Sequence, residues 1–269
     1  MTRNLRLRLA TAAVGIPLLF LVIWFHTYAV AAVAAVAAVI AAAELMILVR
    51  AAGWRPLANV GIAWGAIMVA VAALDGASVL LALAAGAIVA LAISLASRRS
   101  AEALGDWLIT SATTAYVALP LAAVVLLRAG DAGIEWLAFG FLVTFAVDTG
   151  AYAVGRIAGR HKMAPSVSPG KTWEGAVGGL FAGVGAAIGL IAILDPADSN
   201  VLWAAGLLGT AIAVAGQVGD LLESKLKRLA GAKDSGVIVP GHGGLLDRLD
   251  SLLLTLPIAY YASTIWPTP

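Results

Sequence analysis

The stretch DRLDSLLLTLPIAYYASTIW, residues 247–266, sets three charged residues directly against an apolar run of bilayer-spanning length. A transmembrane helix needs about 20 predominantly apolar residues. Ionisable side chains inside such a helix are costly, so each one is a functional-site hypothesis. The stretch therefore predicts a membrane helix whose first turn carries chemistry.

The composition of the whole chain is that of an integral membrane protein. Of its 269 residues, 62% are hydrophobic and 12% are charged. The mean hydropathy of +0.98 is above what soluble globular domains of this length normally reach. Cysteine is absent, which excludes disulfides, thiolate metal sites and a cysteine nucleophile.

Apolar runs predict an all-α, polytopic fold with about nine transmembrane helices. The predicted spans are 8–26, 28–49, 57–75, 77–97, 107–127, 136–154, 175–194, 201–222 and 246–266. The first apolar run is long for a signal peptide and further spans follow at once, so we expect it to be retained. The expected organisation is an N-terminal scaffold, residues 1–130, and a C-terminal catalytic core, residues 131–269.

Basic residues predict the orientation of the spans. If the N-terminus is cytosolic, all but two of the 17 basic residues fall in cytosolic segments, as the positive-inside rule requires. The two exceptions are Arg128 and Arg248. An odd number of spans places the C-terminus outside. The protein is therefore expected to be a multi-pass protein of the cell's inner (plasma) membrane.

Six acidic residues in or next to the predicted spans lie near the cytosolic ends. They are Glu44, Asp148, Asp220, Glu223, Asp247 and Asp250. Carriers commonly hold their substrate near the bilayer midplane, so this shared depth favours an enzyme that joins a cytosolic reagent to a lipid headgroup. Clustered carboxylates repel unless a cation neutralises them, and Mg²⁺ takes one or two carboxylates together with substrate phosphates. An interhelical salt bridge from Arg248 would account for only one pair.

Helical spacing brings several of these acids onto common faces. QVGDLLES, residues 217–224, and DRLDS, residues 247–251, each place polar residues three or four positions apart, on one side of a helix. Glycines at 175, 179 and 183, and also at 185 and 189, recur at helical spacing. They predict close packing of the seventh span against its neighbours.

Two basic cytosolic loops could bind phosphate. GRIAGRHKMAPSVSPGKTWEG, residues 155–175, leads into a helix start, where free N–H groups attract anions. It is not a Walker A motif, because position 165 is proline where that motif needs glycine. Anchoring to anionic lipid explains its charge equally well. PGHGGLLD, residues 240–247, has glycines that allow a phosphate to approach the backbone, and its histidine alone indicates a turn residue rather than a base.

The 27-residue segment SKLKRLAGAKDSGVIVPGHGGLLDRLD, residues 224–250, resembles the signature of the phosphatidate cytidylyltransferases, also called CDP-diacylglycerol synthases. Residues 148–175 and 217–224 are also similar to segments of that family. The resemblance covers the C-terminal half of the chain. It implies that CTP and phosphatidate (phosphatidic acid) react to give CDP-diacylglycerol and pyrophosphate for phospholipid biosynthesis.

The resemblance implies Asp220 and Asp247 as metal ligands, with Asp148, Glu223 and Asp250 as further candidates. It also implies Mg²⁺, a second cation such as K⁺, and a homodimer. The predicted catalytic set is Asp220, Asp247, Lys233 and Arg248. The predicted substrate-binding set, whose members would contact phosphates or the headgroup, is Ser168, Lys171, Thr172, Lys227, Arg228, Gly241, His242, Gly243 and Gly244. The expected partners are CTP, phosphatidic acid and membrane lipid, and nucleic acid is not expected.

Two other functions fit part of the pattern. A CTP-dependent lipid kinase would use the same nucleotide but transfer its terminal phosphate. A transporter of an anionic metabolite would move its substrate without CTP, and it leaves the carboxylates at the inner face unexplained. CDP-alcohol phosphotransferases are disfavoured, because their extended aspartate pattern does not occur in the chain.

Overall fold

A computed structural model describes residues 21–97, 100–194, 201–236 and 243–266. Nearly all of these residues are helical. The helices are α1 Thr27–Ala51, α2 Ala58–Val71, α3 Gly76–Ser97, α4 Ser100–Ala129, α5 Gly133–Ala158, α6 Trp173–Leu194, α7 Val201–Leu229, α8 Leu246–Leu249 and α9 Leu252–Ile265. Two short antiparallel strands, β1 Lys162–Ala164 and β2 Ser168–Thr172, separate α5 from α6. The hairpin is the departure from the predicted all-α fold.

Six of the described helices are long and apolar enough to cross a membrane, namely α1, α3, α4, α5, α6 and α7. They make the chain a multi-pass membrane protein. The predicted spans 57–75 and 246–266 correspond to α2 and α9, which have only 14 residues each. The predicted span 8–26 lies mostly outside the described residues. The count of nine spans and the orientation of the termini therefore stay predictions.

The last predicted span is interrupted near its start. Helix α8 ends at Leu249 and α9 begins at Leu252, so Asp250 and Ser251 form a turn between them. The Asp250 carboxylate accepts a hydrogen bond from the Ser251 backbone N–H at 2.7 Å. Asp and Ser side chains bond readily to nearby backbone, which favours turns over continuous helix. The charged residues at 247–250 thus precede the apolar helix instead of lying within it.

The chain forms two compact units. The first unit contains Met1–Ala129 and Leu226–Leu249, and the second contains Gly130–Lys225 and Asp250–Pro269. Much of the signature-like segment therefore groups with the N-terminal helices. The predicted assignment of a scaffold and a catalytic core to residues 1–130 and 131–269 stays a prediction.

Small residues and tryptophans hold the helices of the first unit together. On α1 the alanines at 31, 34, 38, 41 and 42 are buried, whereas Val33, Val36 and Val39 are exposed. Small side chains let helix backbones approach closely in lipid. The indole N–H of Trp64 donates to the Ala82 carbonyl at 2.8 Å, which ties α2 to α3.

Glycines bring α5 and α6 into close contact in the second unit. A Cβ atom on Gly179 would lie 2.9 Å from the Val147 carbonyl oxygen, and one on Gly183 would lie 2.6 Å from a Val147 methyl. Gly175 is similarly close to α5, so packing is confirmed for these three glycines. It is wrong for Gly185 and Gly189, where no described atom lies within 4 Å of the added carbon.

Candidate functional site

A cavity of about 410 Å³ opens within the second unit, and we call it the Asp220 pocket. Residues of four elements line it: α5, the hairpin, the start of α6 and the C-terminal half of α7. The lining residues are Asp148, Ala151, Tyr152, Gly155, Arg156, Met163, Ser168, Gly170, Lys171, Thr172, Gly175, Ala176, Gln217 and Asp220. The fold thus brings together five predicted site residues, namely Asp148, Ser168, Lys171, Thr172 and Asp220.

An ion pair lies in this pocket. The Lys171 ammonium is 2.7 Å from Asp220 Oδ2, and the two side chains are 21% and 34% exposed. The other carboxylate oxygen of Asp220 accepts a hydrogen bond from the Ser224 hydroxyl at 3.3 Å, one turn further along α7. Asp148 lines the same pocket, and its carboxylate is hydrogen-bonded to Ser251. The Lys171 ammonium nitrogen itself is buried, whereas the Asp220 side chain is the more open of the two. Asp220 is therefore the partner that another ligand can reach.

The hairpin fixes Lys171 and Thr172 at the start of α6. Lys162 pairs with Thr172 and Ala164 pairs with Ser168 across the two strands. The Thr172 hydroxyl then accepts the Gly175 backbone N–H at 3.1 Å and caps the helix. This cap uses one of the free N–H groups on which the predicted anion site at the helix start depends.

A second contact ties the loop before the hairpin to the same helix. The Glu174 carboxylate accepts backbone N–H groups from Arg160 at 3.1 Å and from His161 at 3.2 Å. His161 Nδ1 lies 2.5 Å from the other oxygen of that carboxylate. Acidic side chains are favourable at a helix start because they face the positive end of the helix dipole. Glu174 therefore anchors the basic loop beside the pocket.

Sequence reasoning did not select Tyr152 and Arg156, which also line the pocket. The Arg156 guanidinium donates to the Tyr152 hydroxyl at 2.7 Å and lies 6.0 Å from the centre of its ring. Gln217 belongs to the polar helix face 217–224 but is not among the predicted site residues. Its side-chain amide donates to the Ala176 carbonyl at 3.1 Å. Tyr152 and Arg156 could have been predicted from their spacing, because they lie four and eight residues after Asp148 on one helix face.

The first unit holds a separate arrangement around Asp247, which we call the Asp247 cluster. The Asp247 side chain is 5% exposed, and its Oδ1 accepts the Lys227 ammonium at 2.6 Å. Its Oδ2 accepts the Ser235 N–H at 2.9 Å, the Ser235 hydroxyl at 3.0 Å and the Gly244 N–H at 2.8 Å. This carboxylate therefore receives four protein donors in a buried position.

Glycines allow the backbone to approach the cluster. Gly243 has a φ of +86°, a conformation that side chains other than glycine's rarely adopt. A Cβ atom there would lie 2.6 Å from Asp247 Oδ2, and one on Gly244 would lie 2.6 Å from Glu44 Oε1. The predicted approach to an oxygen anion thus occurs in this structure with the protein's own carboxylates.

The remaining predicted residues have varied surroundings. Lys233, Arg228 and Arg248 are exposed, and the Arg228 guanidinium donates to the Ala232 carbonyl at 3.2 Å. Glu223 is fully buried on α7, and Asp250 lies in the turn before α9. Gly241 and His242 lie outside the described residues.

Two carboxylates of the Asp220 pocket suit the ligand preferences of Mg²⁺. Among the described residues, no group of three or more His, Cys, Asp or Glu side chains is arranged to hold a metal. Mg²⁺ nevertheless takes only one or two carboxylates and obtains its other ligands from water and substrate phosphates. Asp148 and Asp220 supply two carboxylates in one pocket, and the Lys171 ammonium already lies at a cation position beside Asp220. At Asp247, a metal would have to displace Lys227 or share the carboxylate with it.

Similarity to known proteins agrees with this chemistry. A sequence model of the Cytidylyltransferase family matches residues 6–266. The phosphatidate cytidylyltransferase of Staphylococcus saprophyticus is 46% identical over 127 residues, which are 47% of this chain and 48% of that protein. The protein of the same name from Staphylococcus aureus (strain COL) is 46% identical over 129 residues, with the same shares of 47% and 48%.

The relatives and the family match differ in extent. The chain spans about half the length of the curated relatives it matches, since 48% of each is covered. The family match extends over nearly all of the chain, including the described helices of both units. The chain therefore belongs to the cytidylyltransferase family.

Proposed function

We propose that the protein is a CTP:phosphatidate cytidylyltransferase that forms CDP-diacylglycerol and pyrophosphate for phospholipid biosynthesis. The observation that carries the proposal is the Lys171–Asp220 pair in a cavity of about 410 Å³ formed by membrane helices and a polar hairpin. A volume of this size is within the range of ordinary ligand pockets, about 300–1,000 Å³. Membership of the family and the names of the relatives support the same reaction.

The reaction transfers a cytidylyl group between two phosphates. An oxygen of the phosphatidate phosphate attacks the α-phosphorus of CTP and forms a new P–O bond. The bond from that phosphorus to the oxygen bridging the α- and β-phosphates breaks, and pyrophosphate leaves with the electron pair. Phosphatidate is already ionised at neutral pH, so the step needs little proton transfer. It depends on positioning and on stabilising the charge of the phosphates.

Residues of the Asp220 pocket are well suited to hold the nucleotide phosphates. Asp220 and Asp148 would hold Mg²⁺, which when bound offsets the negative charge of the phosphates. The Lys171 ammonium would donate to a phosphate oxygen in exchange for its present bond to Asp220. Ser168 and Thr172 contribute hydroxyl groups beside it.

The first unit contains further residues that the resemblance connects with the reaction. Asp247 is proposed as a second metal ligand. When no metal is bound, the Lys227 ammonium neutralises the Asp247 carboxylate. Three exposed cations, Arg228, Lys233 and Arg248, are proposed to contact phosphates or the lipid headgroup. Glu223 and Asp250, the glycine turn 241–244 with His242, and a second cation such as K⁺ remain predictions from the resemblance.

The proposed location of the reaction is the cytosolic face of the inner membrane. The support is the excess of basic residues in the segments assigned to the cytosol. A homodimer is also proposed, on the resemblance alone. Cysteine-accessibility labelling of single-cysteine variants in sealed vesicles tests the orientation, because the natural chain has no cysteine. Light scattering of the detergent-solubilised protein tests the dimer.

The activity is tested with purified protein in detergent, phosphatidate, Mg²⁺ and CTP labelled in the cytidine ring. Cytidine label in the lipid fraction, dependent on phosphatidate, is the expected result. Asp220→Asn and Asp247→Asn should each lower the rate by about 10²- to 10³-fold, comparable to removing one group that stabilises charge in a transition state. Wild-type turnover in both variants would refute the metal assignment.

Other outcomes identify the alternative functions. Transfer of label from the γ-phosphate of CTP to lipid, without cytidine, would indicate a lipid kinase. Movement of an anion across sealed vesicles in the absence of CTP would indicate a transporter. A wild-type protein that yields no lipid-linked cytidine under any of these conditions overturns the proposal.

A further inference from the structure

Glu44 is a buried acid to which the proposed reaction assigns no role. It lies on α1, seven residues before the helix ends at Ala51, and is 4% exposed. Its surroundings on α1 are apolar, with Leu45, Met46 and Leu48 also buried. A buried carboxylate is costly unless donors surround it. The position of its donors therefore indicates what Glu44 holds.

Among the described residues, three hydrogen-bond donors reach Glu44, and they come from the segment that contains Asp247. Leu245 N–H donates to Oε1 at 3.0 Å, and Leu246 N–H donates to Oε2 at 2.8 Å. The Ser235 hydroxyl lies 3.0 Å from Oε2. Leu246 begins the short helix α8, whose first N–H groups have no partner within the helix. Glu44 thus supplies the acceptor that this helix start requires.

Ser235 connects Glu44 to Asp247. Its hydroxyl lies 3.0 Å from Glu44 Oε2 and 3.0 Å from Asp247 Oδ2. A hydroxyl has one hydrogen to donate, so the two carboxylates share one donor. The Asp247 backbone N–H lies 3.3 Å from the same hydroxyl oxygen. Displacement of the Glu44 carboxylate would therefore alter the hydrogen bonds of Asp247.

The backbone beside Glu44 leaves no room for a side chain. A Cβ atom on Gly236 would come into close contact with the Glu44 carboxylate, and one on Gly244 would come close to both of its oxygens. The main chain at Gly236 and at Gly244 therefore approaches the Glu44 carboxylate closely. Charge-assisted bonds to main-chain N–H groups are strong and have a defined direction.

We propose that Glu44 is a positioning residue for Asp247. It fixes the turn that leads into α8, through Leu245, Leu246 and Ser235, and so sets the orientation of the Asp247 carboxylate. The role in turnover rests on the proposed cytidylyl transfer, whereas the structural connection does not. Helix α1, which belongs to the predicted N-terminal scaffold, would then contribute directly to the Asp247 cluster.

The test variant is Glu44→Gln, which keeps the size of the side chain but replaces one acceptor oxygen with an NH₂ donor. Hydrogen–deuterium exchange of peptides covering residues 243–249 reports the turn without reference to activity. We expect exchange there to be faster by about 10- to 100-fold, the effect of losing a hydrogen bond to a charged group. We also expect kcat to fall by a similar factor, with KM for CTP within about threefold of wild type.

Ser94→Ala is the matched control. Its hydroxyl is also buried in the first unit and donates to the Ala103 carbonyl at 2.7 Å. This variant should be destabilised, but exchange at residues 243–249 and kcat should match wild type. If Glu44→Gln does not fold, Ser235→Ala decides the question, with an expected increase in exchange and decrease in kcat of about 3- to 10-fold.

Three results would overturn the proposal. Wild-type exchange at residues 243–249 in Glu44→Gln would refute the connection. Faster exchange with unchanged kcat would refute the positioning role. In the Ser235→Ala arm, wild-type values of both quantities would do the same. If wild-type protein shows no cytidylyl transfer, the proposed function fails, and the exchange experiment still decides whether Glu44 holds the turn.

Discussion

Two lysine–aspartate pairs among the described residues have nearly the same length and very different surroundings. Lys171 and Asp220 are 2.7 Å apart in the second unit, and their side chains are 21% and 34% exposed. Lys227 and Asp247 are 2.6 Å apart in the first unit, with exposures of 13% and 5%. Asp247 accepts three further hydrogen bonds, whereas Asp220 accepts one from Ser224.

Burial makes the two pairs energetically unequal. Ion pairs near solvent contribute little to stability, about 0–1 kcal/mol. Removing one partner of a buried pair costs about 3–5 kcal/mol, because the other charge is left without compensation. The Lys171–Asp220 pair has a buried ammonium nitrogen but a more open carboxylate, so we expect its exchange for a metal and a phosphate to cost less than disruption of the Lys227–Asp247 pair. The Lys227–Asp247 pair belongs to the framework of its unit.

The largest expected effect is that of Asp247→Ala. It leaves the Lys227 ammonium and the N–H groups of Ser235 and Gly244 without their acceptor. We expect a loss of about 3–5 kcal/mol in the free energy of unfolding, measured by equilibrium denaturation in mixed micelles. Adding Lys227→Met should recover part of the loss, because it removes a partly buried charge that no longer faces the Asp247 carboxylate.

Asp234→Ala is the control for Asp247→Ala. Asp234 is an exposed acid in the same segment, so its removal should change the free energy of unfolding by less than about 0.5 kcal/mol. Equal effects of the two substitutions would show that the buried hydrogen bonds of Asp247 do not contribute to the free energy of unfolding.

A smaller effect is expected from Gly179→Ala, which disturbs the contact between α5 and α6 in the second unit. The new methyl group would lie 2.9 Å from the Val147 carbonyl oxygen and 3.0 Å from Ala151 Cβ. Overpacking of this kind costs about 1–3 kcal/mol, measured in the same denaturation experiment.

Gly185→Ala is the matched control on the same helix. No described atom lies within 4 Å of its added carbon, so the substitution should be neutral or stabilise by up to about 1 kcal/mol through helix propensity. A loss as large as that of Gly179→Ala would contradict the assignment of Gly179 to the contact between α5 and α6.

Asp220→Ala sharpens the comparison directly. We expect the free energy of unfolding to fall by about 1–3 kcal/mol, because the buried ammonium nitrogen of Lys171 loses its acceptor, which is less than the loss expected for Asp247→Ala. Cytidylyl transfer should nevertheless be lost, since Asp220 is the proposed metal ligand. Stability comes from denaturation and activity from the labelled-CTP assay. A stability loss equal to that of Asp247→Ala would remove the distinction between the two pairs.

The smallest effect is expected at Asp75, a carboxylate that belongs to neither pair. It accepts the Ser78 N–H at 2.6 Å at the start of α3, and this bond lowers the pKa of Asp75. The stabilisation is present above the unfolded pKa of about 3.9 and is lost as the pH falls through the lower folded value. Asp75→Ala should therefore destabilise slightly at pH 7, less so in acid, and leave activity unchanged. A difference that grew as the pH fell would contradict the contact.

Much of the helical framework follows from the apolar runs. The predicted spans 28–49 and 77–97 agree closely with Thr27–Ala51 and Gly76–Ser97, because polar or glycine-containing segments bound each run. The hairpin Lys162–Thr172 was not predicted, since strands of three and five residues are too short to show a period. The turn at Asp250 was also missed, because apolar length alone does not reveal local side-chain bonds.

The candidate site could be predicted only where local spacing reports it. Asp220 and Ser224 are one helical turn apart, so their shared face was visible in the sequence. The pairing of Lys171 with Asp220 joins two residues that are 49 positions apart, and no local pattern predicts it. The donors to Glu44 lie 191 to 202 residues away, beyond the reach of any local pattern.

That separation has a consequence for biosynthesis. Glu44 enters the membrane with α1, whereas Ser235, Leu245 and Leu246 are added about 200 residues later. At a synthesis rate of about 5–20 residues per second, the interval is about 10–40 s. During that time Glu44 is already part of the growing chain, but the donors of its native hydrogen bonds have not yet been synthesised. The first unit therefore reaches its native hydrogen bonding only after residues 235–246 have been synthesised, and an early helix is completed by a later segment.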